Sequence, residues 1–144
     1  MSHENFARER SGVLQMLRPG HDNAEVGELI RVLGGSSGRD VDKRVVCANL
    51  GYTWGKLIEG GEEDEETKWP LVLPSCIYYL KLEMVGDLID CGSHDVALCK
   101  VVSMISGDEI ENAGDELNYI STRNLREMGI ISEFGRVIPL KSDA

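Results

Sequence analysis

The residues best suited to chemistry in this sequence are Ser36, Ser37, Gly38 and Arg39, followed by Asp40 and Lys43. Small residues let backbone amides approach a phosphate, hydroxyls add donors, and a guanidinium offers a two-pronged charged contact. Asp40 is a plausible cap for a helix running from Val41 to about Ala48, which would bring that helix's first amides close by. Lys43, one turn further on, could add a second cation. The same residues also read as an ordinary Gly/Ser turn between two helices, and turn chemistry alone favours that plainer reading.

His94 is the second candidate. An imidazole titrates near neutrality and can donate or accept a proton. Its alternative is a loop histidine bonded to a backbone carbonyl. His3 and His21 lie in polar surroundings without ligand spacing and read as surface residues. The cysteines, Cys47, Cys76, Cys91 and Cys99, are 29, 15 and 8 residues apart. Metal sites of four cysteines use close pairs, so no metal is expected. Cys76 and Cys99 lie in apolar runs and read as small core residues rather than disulfide partners. Trp54, Trp69, Tyr78 and Tyr79 could form a stacking platform, although such aromatics more often pack a core or an interface. No spacing supports a Ser-His-Asp arrangement or a Walker-type loop.

These residues sit in a chain of 144 residues, a length that fits a single domain. Hydrophobic residues make up 42% and charged residues 28%, close to globular averages, so a wholly disordered chain is excluded. The net charge of −10 would repel nucleic acid and anionic membranes. Five acids fall in one run, Glu62 to Glu66, which reads as a solvated loop. No stretch approaches the length of a membrane span. The opening MSHENFARER has no apolar signal core, so a cytoplasmic location is expected.

Several elements must position the candidates. Val26, Leu29, Ile30 and Leu33 fall at i, i+3, i+4 and i+7, which predicts a helix over Asn23–Leu33. Asp22 can cap it, with Glu25 as reciprocal partner, and Gly34-Gly35 can stop it. Gly12 to Leu17 reads as a short strand closed by Arg18-Pro19-Gly20. From Cys76 to Met84 apolar residues occupy every even position, while Lys81 and Glu83 share the other face. Tyr78 is thus assigned to the core, and Tyr79 to the polar face or an interface. A turn at Asp90-Cys91-Gly92-Ser93 leads into a second strand, Val96–Ile105, expected to lie antiparallel to the first. A short helix is expected around Arg123–Met128, ended by Gly129.

The stretch Leu73 to Met104, LPSCIYYLKLEMVGDLIDCGSHDVALCKVVSM, resembles the flavin reductase-like family of FMN-binding split barrels. So does the upstream stretch Ser11 to Lys43, with its strand, its helix and its Ser-Gly-Arg-Asp turn ending in Lys. The close, Leu117 to Ser132, is similar to the tail of some members. The order and spacing of the three stretches carry the resemblance; no single motif does. Two departures stand out. Gly92-Ser93-His94 has Ser where the family turn carries an acid, and the strands that usually open the family are not found before Gly12.

The resemblance implies a β-rich α+β fold, a partial split barrel with one or two packed helices and without its N-terminal strands. It implies an oxidoreductase that holds FMN and takes hydride from NAD(P)H. Ser36, Ser37, Gly38, Arg39 and Lys43 would hold the phosphate or ribityl chain, and His94 would orient the flavin or nicotinamide edge. A homodimer is expected, with no nucleic-acid or membrane partner. The alternative is a truncated, non-catalytic relative acting as an interaction or dimerisation module.

Overall fold

The computed structural model describes residues 2–18, 23–57, 69–107 and 119–138. In chain order the elements are α1 (Ser2–Glu9), β1 (Ser11–Leu17), α2 (Asn23–Gly35), α3 (Lys43–Asn49), β2 (Cys76–Met84), β3 (Ile89–Asp90), β4 (Asp95–Val96), β5 (Cys99–Ser106) and α4 (Thr122–Glu127). The acidic run, His21 and the Asp22 cap lie outside the described residues. The fold is a small α+β arrangement whose sheet does not close into a barrel. Helices hold more of the described residues than strands do, so the expected β-rich balance is not met. The chain divides into two compact units, Met1–Met16 with Gly55–Glu111, and Leu17–Trp54 with Asn112–Ala144.

The first unit is built on a sheet in the order β1-β2-β5. The expected antiparallel pair is present: Tyr79 faces Ile105, Lys81 faces Ser103, and Leu82 faces Val101. Val102 is therefore an extra residue, a bulge in β5. The strand expected over Val96–Ile105 is split. Asp95 and Val96 pair instead with Asp90 and Ile89. The cause is the tight turn between them, where Gly92 has φ +81°. The Asp90 carboxylate accepts from the Gly92 N–H at 2.7 Å, and the His94 carbonyl accepts from the Cys91 N–H at 2.8 Å. β1 lies on the other side of β2. The Arg10 carbonyl accepts from Met84 N–H at one end, and Gln15 Oε1 accepts from Leu73 N–H just before the other. The two strands therefore run in opposite directions.

The alternation along β2 forms a strand as expected, but its faces are used differently. Tyr79 and Lys81 are buried, at 7% and 5% exposure, whereas Tyr78, Leu80 and Leu82 are only half-buried. The assignment of Tyr78 to the core and Tyr79 to the polar face is thus reversed. Polar groups on the buried face have partners. The Tyr79 hydroxyl donates to the Leu73 carbonyl at 2.7 Å and accepts from the Cys76 N–H at 3.2 Å. The Lys81 ammonium lies 5.4 Å from the centre of the Trp69 ring, a cation–π contact. Cys76 is buried as expected, while Cys99 is only partly covered.

The segment Ser2–Glu9, which shows no periodic apolar pattern, is helical. Arg10, at φ +55°, turns the chain out of α1 into β1, and its N–H closes the helix on the Phe6 carbonyl. The Phe6 ring covers Gly12. The Arg10 guanidinium donates to the Gly86 carbonyl and pairs with Asp87 at 3.4 Å.

In the second unit, α2 buries Val26 and Leu29, with Ile30 and Leu33 half-covered, along the expected face. Its last two residues are Gly34 and Gly35 themselves, where Val137 packs close. Gly27 lets Ile130 approach the same helix. Asp42 caps α3, accepting from the N–H groups of Arg44 and Val45; the expected cap, Asp40, lies two residues too early, in the preceding turn. Ser121 and Asn124 form a reciprocal cap on α4, and Gly129, at φ +66°, follows it as expected. Ile130 and Ile131 are buried, and Ile131 bridges to Val137.

Gly107 is closely enclosed. A Cβ there would stand 2.0 Å from the Cys76 carbonyl oxygen. Gly107→Ala must push β5 from the start of β2. It is expected to cost about 1–3 kcal/mol, read as a lowered urea midpoint. Gly55→Ala meets no neighbouring atom and should change stability by less than about 0.5 kcal/mol.

Candidate functional site

The sequence candidates fall in two places. Ser36, Ser37, Gly38 and Arg39 lie in the connection between α2 and α3, and Lys43 is the first residue of α3, all in the second unit. His94 lies in the turn between β3 and β4, in the first.

The α2–α3 connection is a compact turn. The Ser37 carbonyl accepts from the N–H groups of Asp40 and Val41, both at 3.1 Å. The Ser37 hydroxyl oxygen accepts from the Arg39 N–H at 3.2 Å, which leaves the hydroxyl hydrogen to donate elsewhere. Ser37 and Arg39 are exposed. Ser36 instead donates back into α2, to the Val32 carbonyl at 2.5 Å. The Lys43 ammonium donates to the Leu33 carbonyl at 2.5 Å, closing the end of α2. One ammonium hydrogen is used there, and two remain. Of these side chains, Ser37 and Lys43 keep donor hydrogens, and Arg39 is an exposed guanidinium. Their donor chemistry suits a phosphate monoester, while the carboxylates of Asp40 and Asp42 lie beside them in sequence.

His94 is exposed, and its Nδ1 lies 2.7 Å from the Ser93 hydroxyl. That contact engages Nδ1 of the ring. Beside it, His3 Nε2 lies 2.6 Å from Asp95 Oδ2. His3 reads as an isolated surface residue in sequence because its partner is 92 positions away. With both side chains solvated, such a pair contributes little to stability. Among the described residues, no three His, Cys, Asp or Glu side chains converge as a metal site would require.

The aromatics do not form one stacking platform. Trp69 and Tyr79 serve the buried face of β2. Trp54 belongs to the second unit, with a buried indole nitrogen that has no partner among the described residues. Cys76, on the same strand as Tyr79, is buried and chemically muted. Burial pushes its thiol up to about 11, against a smaller opposing effect of the Tyr79 hydroxyl. Cys91, in the β3–β4 turn, is exposed.

This difference predicts selective chemistry. Iodoacetamide at about pH 8 should alkylate Cys91 and spare Cys76 until the chain is unfolded, read by peptide mass. The unfolded thiol ionises near its ordinary 9.0, while the folded one keeps its proton to about 11. The stabilisation is thus intact below pH 9.0 and is lost as pH rises towards about 11. The urea midpoint should fall across that window, and Cys76→Ala should remove this part of the fall.

Comparison with protein-family models, with curated proteins and with solved structures finds no match to this chain.

Proposed function

We propose that the chain is an FMN-binding domain of the flavin reductase type, a split-barrel relative with an open sheet. The observation that carries the reading is the order of its parts. A strand, a helix and the Ser36–Asp40 turn with Lys43, then a strand, the His94 turn and a further strand, follow one another along the chain, and this is the order on which the resemblance rests. Both polar turns present exposed side chains, Ser37 and Arg39 in one and His94 in the other.

In this reading the Ser37 hydroxyl and the Arg39 guanidinium bind the phosphate. Lys43, held on the Leu33 carbonyl, adds positive charge. Ser36 and Gly38 shape the turn. A bound flavin supplies the two-electron acceptor for hydride from NAD(P)H. His94 orients the edge at which the nicotinamide arrives, its ring steadied by Ser93.

A second reading is that of a non-catalytic relative serving as an interaction or dimerisation module. The apolar side chains left exposed on β5 favour it, Val101, Val102 and Met104 among them.

Titration with FMN and with riboflavin tests the first reading. Arg39→Ala should weaken FMN by about 10- to 150-fold, the loss of a charged hydrogen bond worth about 1.5–3 kcal/mol. Riboflavin, which has no phosphate, should be unaffected. His94→Ala should slow reduction by NAD(P)H more than it weakens FMN. Equal loss of both flavins with Arg39→Ala removes the phosphate role. No binding of either flavin by the wild type leaves the second reading.

A further inference from the structure

β5 is the outer strand of its sheet, and among the described residues no strand lies beyond it. It is eight residues long, and its only charged residue is Lys100. Val101 is 51% exposed and Met104 63%. An edge of this length and character is a template for another strand.

The backbone pattern of the edge narrows what that strand can be. In an antiparallel pair, alternate residues turn both N–H and C=O towards the partner. The Gly107 N–H bonds to the Ile77 carbonyl, and the Val85 N–H bonds to the Leu98 carbonyl. With the observed register, Ile105, Ser103 and Lys100 then turn towards β2. Cys99, Val101, Met104 and Ser106 turn outward. The bulge at Val102 puts two residues between Val101 and Met104, where a regular strand has one. A regular strand can therefore match one half of this edge or the other, but not both.

We propose that the occupant of the β5 edge is β5 of a second copy, antiparallel about a two-fold axis between Val102 and Ser103. In that register Cys99 faces the second copy's Ser106, and Val101 faces its Met104. Every outward residue then meets an outward residue, and the irregular gap in one strand meets the same gap in the other. Lys100 falls opposite Ile105 rather than opposite itself, so no like charges are opposed along the seam. Val101 and Met104 share the sheet face of Leu82 and Leu80, their partners on β2. Pairing therefore joins two half-exposed apolar faces into one. The inference adds a partner to the second reading above, yet it holds with either, because sedimentation and flavin titration share no readout.

The wild-type chain should sediment at micromolar concentration at twice its 15.9 kDa mass. Two double variants test the register. V101K with M104K places lysines opposite lysines, and V101E with M104E places glutamates opposite glutamates. Each alone should sediment as a monomer, and an equimolar mixture should restore the dimer, which also shows that both variants fold. Hydrogen exchange on the wild type gives a measurement free of substitutions: the Val101 and Met104 amides should gain protection as concentration rises. A monomeric wild type, variants that still dimerise alone, or Val101 and Met104 amides that exchange freely in a wild-type dimer would overturn the proposal.

Discussion

The Tyr79 hydroxyl ties together the two ends of a turn. It donates to the Leu73 carbonyl and accepts from the Cys76 N–H, and so fixes where β2 begins. Gln15, from β1, accepts the Leu73 N–H and holds the same turn from the neighbouring strand. Buried polar groups left without partners typically cost about 1–3 kcal/mol each, so this three-way arrangement permits little slippage. With β2 started at Cys76, its carbonyl meets the close of β5 at Gly107, the one residue type that fits there. The register of the pair, the position of the bulge and the pattern of the outer edge all follow from that start.

Much of the element order is legible in the sequence, because apolar spacing depends on neighbours only three or four residues apart. Val26, Leu29, Ile30 and Leu33 specify α2 in this way, and the alternation from Cys76 to Met84 specifies β2. Alternation shows that a strand has two faces, but not which one the rest of the chain covers. On β2 the choice is made by the Leu73 carbonyl, which takes the Tyr79 hydroxyl, and by Trp69, which lies against Lys81. Helix α1 escapes a periodicity argument because its apolar content is slight and its ties are distant. Phe6 packs on Gly12, and His3 reaches Asp95. The cap of α3 moves from Asp40 to Asp42 because both residues have the right chemistry, and the tight Ser37 turn decides between them.

The candidate site was legible as residue types and only partly as available groups. Ser36 to Asp42 does connect two helices, as its Gly/Ser content and flanking patterns suggest. The sequence does not reveal that Ser36 and Lys43 each give a donor to the end of α2. A helix end leaves carbonyls without partners, and nearby hydroxyls and ammonium groups take them. Part of the polar character of this segment therefore serves the helix. The Ser37 hydroxyl keeps its hydrogen, and the Arg39 side chain is exposed.

The division of the chain bears on how it is made. Each compact unit is assembled from two separate stretches, so neither is complete when its first stretch leaves the ribosome. The unit holding the sheet needs residues up to Glu111, whereas the helical unit needs the stretch from Asn112 onward. Domains generally fold as their segments emerge from N to C terminus. The sheet unit can thus form before the second unit has its later stretch, at the entropic cost of a loop running from Leu17 to Trp54. Within that loop, the face of α2 at Gly27 waits for Ile130, so its cover comes from a residue made much later than the helix itself.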